Sequence, residues 1–259
     1  MTKLAANLSM LFTEHAFLER FKAAADAGFK AVEFLFPYAF EVNQIKQQLQ
    51  DNKLQLVLHN LPAGNWEAGE RGIACLPERV EEFRQGVDLA IGYARALEVR
   101  QVNCLVGIRP ADLSITTAQA TLVSNLSYAA DKLQADGIAL LIEPINTFDI
   151  PGFFLSGTQQ ALDLIQATGS DNIFVQYDIY HMQRMEGELI NTIKTNLGKI
   201  RHIQLADNPG RFEPGTGEIN YRNIFAALTD MGYQGWVGCE YKPRNGTAAG
   251  LGWIKSHGL

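Results

Sequence analysis

The chain has 259 residues, 47% of them hydrophobic and 19% charged, so it can bury a large core and is neither disordered nor built of membrane spans. A formal charge of −6 argues against a nucleic-acid partner, which needs clustered Lys and Arg, but leaves room for an anionic small molecule held by one or two local cations. Cys75, Cys104 and Cys239 are widely spaced with no CxxC pair, and the N-terminus MTKLAANLSMLF carries no cleavable apolar leader, which together predict reduced thiols in a cytoplasmic protein.

In chain order, short apolar segments alternate with helical ones. Strands are expected at 4–7, 31–34, 54–60, 101–104, 139–143, 173–178, 200–205 and 235–240. They lack polar alternation, as strands of a parallel sheet covered on both faces do. Between them, 17–27, 79–97, 116–136, 158–167 and 221–231 have helical apolar spacing, and Gly28, Gly169 and Gly232 stand just beyond three of these segments as stop signals. Eight such units average about 32 residues each, which suits a single α/β domain over 1–259, a closed (β/α)₈ TIM barrel. A doubly wound open sheet would usually place a glycine-rich phosphate turn after the first strand, whereas NLSMLF contains no glycine.

Barrel enzymes carry their chemistry at the C-terminal ends of the strands. The last four strands end in LLIEPIN, VQYDIYH, HIQLADN and WVGCEYK, supplying Glu143, Asp178, Gln204 and Glu240 at intervals of 35, 26 and 36 residues. Four oxygen-bearing side chains one βα unit apart should share one mouth. They form a hard-oxygen set suited to Mg²⁺ or Mn²⁺. Each acid taken singly is also compatible with a plain ion pair at a strand end.

Other polar residues are more ambiguous. Asn7, Glu33, His59 and Asn103 sit on the remaining strand ends; His59 reads equally as a substrate contact and as a satisfied core histidine. His181, three residues past Asp178, should face the pocket, while the depth of His202 within its strand favours packing. His15 and His257 have no site rationale. The segment EPGTGEINY lacks the Lys-Ser/Thr of a P-loop and reads as a turn into a helix. The loop at 62–77, with Gly64, Gly69, Gly72, Trp66 and Arg71, has the length of a lid. Arg71 is a candidate for holding a substrate carboxylate, with Lys242 and Arg211 as rivals, and an ordinary solvated arginine as the plainer reading.

The blocks ANLSMLFTE, GFKAVEFLFPY, LHNLPAGNWEAGERGIAC, LIEPIN, FDIPGF, QYDIYHMQRMEGEL, ADNPGRFEPGTGEINY and GWVGCEYKP run nearly end to end. They resemble the hydroxypyruvate isomerases of the xylose isomerase-like barrel superfamily, which also holds ketose epimerases and endonuclease IV. The resemblance implies reversible conversion of hydroxypyruvate into tartronate semialdehyde. It also implies Glu143 and Glu240 as proton-transferring glutamates, and Glu143, Asp178, Gln204 and Glu240 as ligands of a divalent metal. His59, Arg71, His181 and Lys242 are the expected substrate contacts. Gln204 departs from many superfamily members, where histidine is more usual. No nicotinamide or flavin is expected, because the redox change is internal. The expected partner is a small hydroxy-carbonyl acid, with no nucleic acid and no membrane; a homo-oligomer is allowed but not required. A 2-oxo-tetronate isomerase and a ketose 3-epimerase are the nearest alternatives. A multi-zinc nuclease sits badly with five histidines and an acidic balance, and a barrel that only binds a sugar acid has no use for two glutamates.

Overall fold

The computed structural model describes residues 2–259. Eight parallel strands close into a barrel in sequence order: β1 Lys3–Asn7, β2 Ala31–Glu33, β3 Gln55–Asn60, β4 Gln101–Cys104, β5 Ala139–Ile142, β6 Ile173–Asp178, β7 Ile200–Leu205 and β8 Trp236–Cys239, with β8 paired back onto β1. Each expected strand is present. β5 and β8 end one residue early, so Glu143 and Glu240 stand just past the ladder, where the chain turns into the mouth.

The principal helices are α1 Arg20–Asp26, α2 Val42–Asp51, α3 Val80–Ala96, α4 Ile115–Gln134, α5 Thr158–Thr168, α6 Ile179–Met185, α7 Leu189–Asn196 and α8 Tyr221–Asp230. Helices α2, α6 and α7 go beyond the five segments expected from spacing. α2 buries little besides Ile45 and Leu49, too thin a stripe to stand out in the sequence. Local chemistry sets several boundaries. Ser114 caps α4 by accepting from the Thr117 N–H, Asn220 caps α8 through Asn223, and Gly169 ends α5 with φ 67°.

The apolar layer between strands and helices forms the main core, while a smaller cluster of Ala5, Ala31, Val57, Leu58 and Leu141 fills the lumen below the mouth. Register decides which polar residues face inward. Asn7 pairs with Glu33, Asn60 with Asn103, and Asp178 with Gln204, so these share the lumen side. β3 carries an irregularity between its pairings at Val32–Leu56 and Glu33–Leu58, which leaves Val57 unmatched and turns Leu58 and Asn60 inward. His59 therefore faces the helices.

Candidate active site

The mouth opens into a cavity of about 780 Å³ lined by Glu143, Asp149, Tyr180, His181, Arg184, Arg211, Glu240 and Lys242, with Asn60, Trp66 and Arg71 on the opposite side. Glu143, Asp178, His181 and Glu240 are all buried, and each offers an atom within 4.8 Å of the others. Three of the four strand-end oxygen residues thus converge with His181.

Each group is fixed by the strand or loop that carries it. Asp178 ends β6 and begins α6: its Oδ1 accepts from the Tyr180 N–H at 2.8 Å, while Oδ2 has no hydrogen-bond partner among the described residues. Glu143 Oε2 accepts from Asn103 Nδ2 at 3.1 Å. Glu240 accepts from Asn7 Nδ2 at 3.2 Å and from Arg211 Nη2 at 2.5 Å. His181 Nε2 lies 3.6 Å from Asp178 Oδ2 and 3.9 Å from Glu143 Oε1.

Gln204 takes a different posture. Its Nε2 donates to Glu33 Oε1 at 2.7 Å, and its Oε1 accepts from Gln176 Nε2 at 2.6 Å. A carbonyl has two lone pairs, so one remains for a cation. Glu33 is the hub below the site. It also accepts from Asn7, and His202 Nε2 lies 2.6 Å from its Oε2.

Burial dominates the electrostatics. Desolvation, followed by the charges of Glu240 and Asp178, pushes the Glu143 carboxyl well above the usual carboxylate range. Burial raises Glu240 to about 8 against the pull of Arg211, and it raises Asp178 too. Burial acts on His181 in the opposite sense: with Arg211 and Arg184 nearby, it holds the imidazole well below 6.5 and therefore neutral near pH 7. Burial also disfavours the Arg211 guanidinium, but the three acids more than offset this and raise it above its ordinary value.

The residues suit a divalent cation. A buried carboxylate oxygen without a partner among the described residues lies within 4.8 Å of two further carboxyls.

The structure separates the expected substrate contacts. His181, Arg71 and Lys242 line the cavity, and His59 does not. His59 Nδ1 meets the Asn60 carbonyl at 3.1 Å and its ring packs edge-on to Tyr38, while burial drops it to about 4. Arg71 lies 3.9 Å over the Trp66 ring and donates to the carbonyls of Trp66 and Glu70. The loop at 62–77 is anchored at its C-terminal end. Gly72, at φ 108°, bridges to Val106, and a Cβ there would lie 2.0 Å from the Leu105 carbonyl oxygen. Arg211, one of the rivals for the substrate carboxylate, occupies the centre of the charge cluster. It rides on the turn after β7 at φ 58°, a turn held by Asp207, which accepts from the N–H groups of Asn208, Gly215, Gly217 and Ile219. Asp149, Tyr180 and Arg184 complete the lining; the spacing of Tyr180 and Arg184 around His181 on α6 is the only sequence signal for those two, and Asp149 has none.

Among the described residues the three cysteines are free and buried, and no helix is long and apolar enough to cross a membrane.

Residues 21–257 match the profile of the family described as xylose isomerase-like TIM barrel. The chain is 59% identical over 254 residues to the hydroxypyruvate isomerase of Escherichia coli (strain K12), covering 98% of each. It is 45% identical to the 2-oxo-tetronate isomerase of Cupriavidus necator over 257 residues, covering 99% of each. A crystal structure described as an AP endonuclease of family 2 from Brucella melitensis superposes with a TM-score of 0.96 at 45% identity, covering 99% of both chains.

Proposed function

The chain belongs to the xylose isomerase-like TIM barrel family, and from that premise and its acidic mouth we propose that it is a hydroxypyruvate isomerase, interconverting hydroxypyruvate and 2-hydroxy-3-oxopropanoate (tartronate semialdehyde). The observation that carries this reading is the pair Glu143 and Glu240: two buried carboxyls beside one cavity, both held by burial above the usual carboxylate range, Glu240 at about 8.

The reaction moves a carbonyl between adjacent carbons. One glutamate removes a proton from C3 of hydroxypyruvate, giving an enediolate across C2 and C3. The other delivers a proton to C2, while the hydroxyl proton of O3 passes to O2. Atoms balance, and no nicotinamide or flavin takes part. Charge gathers on the two enediolate oxygens, where Arg211 and the Nε2 side of His181 face the acid cluster. Arg71 and Lys242 line the same cavity and hold the substrate carboxylate.

Glu143, Asp178, Gln204 and Glu240 hold the divalent cation in this reading, Mg²⁺ or Mn²⁺ by the hardness of the donors. Bound there, the cation supplies Lewis-acid stabilisation of the developing oxygen charge. The working unit is the single barrel over 1–259, acting in the cytoplasm on a small hydroxy-carbonyl acid.

A four-carbon acid is the second reading, because the chain is also 45% identical over 257 residues to a 2-oxo-tetronate isomerase. Proton NMR in D₂O separates the two. Deuterium should enter C3 of hydroxypyruvate, with tartronate semialdehyde forming, and both should vanish in Glu143→Gln. Exchange in 2-oxo-tetronate with none in hydroxypyruvate would reassign the substrate.

A further inference from the structure

Asn146 follows Glu143 in the loop after β5 and is fully buried. Its amide is oriented without ambiguity. The Oδ1 atom accepts from the backbone N–H of Phe148 at 3.1 Å and of Asp149 at 2.8 Å, so this end must be the carbonyl. The NH₂ end then faces Asp149 Oδ2 at 3.1 Å and His181 Nδ1 at 2.6 Å. An amide NH₂ can only donate. His181 Nδ1 must therefore present its lone pair, and in the neutral ring the proton stands on Nε2, the nitrogen turned toward Asp178 Oδ2 and Glu143 Oε1.

We propose that Asn146 is a positioning residue that holds His181 as its Nε2–H tautomer, making the imidazole a hydrogen-bond donor at the reacting oxygens and withdrawing it from the ligand set of any cation. Geometry alone would count His181 with the three acids as a fourth ligand. A ligating imidazole needs a lone pair toward the cation and donates its other N–H outward to an acceptor. Here the outward partner is itself a donor, so the pattern is reversed. The Asp149 carboxylate, also bonded by the Tyr180 hydroxyl and paired with Arg184, keeps the amide from turning over. The catalytic half of this inference rests on the isomerase reading; the tautomer does not.

Long-range ¹H–¹⁵N correlation on ¹⁵N-labelled protein at about pH 8, where the ring is neutral, reads the tautomer directly. The His181 signals are assigned by their loss in His181→Gln. The expected result is an unprotonated Nδ1 and a protonated Nε2, unchanged when Mg²⁺ is added. In Asn146→Asp the new carboxylate accepts, and the proton should appear on Nδ1. With hydroxypyruvate, kcat of that variant should fall on the order of 10–100-fold, with KM changed less. A wild-type Nδ1–H, loss of the Nε2 proton on adding Mg²⁺, or an Asn146→Asp spectrum like wild type would each overturn the proposal. If Asn146→Asp does not fold, the wild-type spectrum alone decides. The expected spectrum in protein that leaves hydroxypyruvate untouched would uphold the tautomer and overturn the isomerase reading.

Discussion

Arg211 and Glu240, from the adjacent ends of β7 and β8, meet at the barrel mouth at 2.5 Å, and the same guanidinium nitrogen lies 3.6 Å from Asp178 Oδ2. One cation on a loop thus sits between carboxylates from two strands, in the place where three buried acids would otherwise repel one another. Its side chain is only 19% exposed, so the pairing is little weakened by solvent.

Arg211→Gln removes the largest influence that lowers the Glu240 carboxyl. The expected outcome is a loss of about 10²–10³-fold in kcat/KM, as for deletion of one donor to a developing oxyanion. The pH at which Glu240 ionises should also rise above about 8, carrying with it the limb of the rate profile that Glu240 sets. A pH–rate profile with an unmoved limb would separate Arg211 from Glu240.

Glu143→Gln should cost about 10²–10⁴-fold in kcat, the usual worth of a positioned acid–base group. Because burial and the charges of Glu240 and Asp178 already disfavour its ionised form, the uncharged amide should leave the fold as stable or more stable when no cation is bound. Urea unfolding of the EDTA-treated proteins checks this; a clear loss of stability in the variant would assign Glu143 a structural role.

The raised acids also fix how stability varies with pH. Glu240 keeps its proton in the fold up to about 8 but loses it near 4.5 when unfolded, so between those values the folded state binds more protons and stability falls as pH rises. Glu143 and Asp178 act in the same sense. The depressed His181 and His59 act oppositely, but only below 6.5, where the unfolded rings gain charge. From 6.5 to about 8 the raised Glu240 remains, and EDTA-treated protein should become less stable across that window. Saturating Mg²⁺ should flatten the slope. Urea midpoints at both ends of the window, with and without Mg²⁺, provide the measurement; stability that rises with pH would contradict it.

The barrel was legible because strand ends and helical stripes repeat at a near-constant interval, and the convergence of Glu143, Asp178 and Glu240 followed from that interval alone. The rest depended on features with no sequence signature. Whether His59 or Asn60 faces the mouth is decided by the irregular pairing at Val57, since one residue of slip exchanges the faces of the strand. Arg211 could be named only as one rival among three, because a loop residue has no periodicity to place it; four N–H bonds to Asp207 do so instead. Gln204 is placed at the mouth by its strand, yet the direction of its amide is set by Gln176 on the neighbouring β6 and by Glu33 on β2, which meets it only after the barrel closes.

The same closure makes a sharp demand on Gly238. It lies on the lumen side of β8, in register with Ala5 of β1 and Gln204 of β7. A Cβ there would fall 2.3 Å and 2.4 Å from the two oxygens of the Glu33 carboxylate. That carboxylate is held by Asn7, His202 and Gln204, so it cannot swing aside without breaking bonds in a buried network. Gly238→Ala should therefore destabilise by about 1–3 kcal/mol through overpacking, despite the gain that Gly→Ala brings by restricting the unfolded chain. Displacing Glu33 also releases the Gln204 amide, so Mg²⁺ affinity by calorimetry should weaken along with the urea midpoint. A variant as stable as wild type with unchanged Mg²⁺ affinity would mean that Glu33 can move freely, and that Gln204 does not depend on it for its orientation.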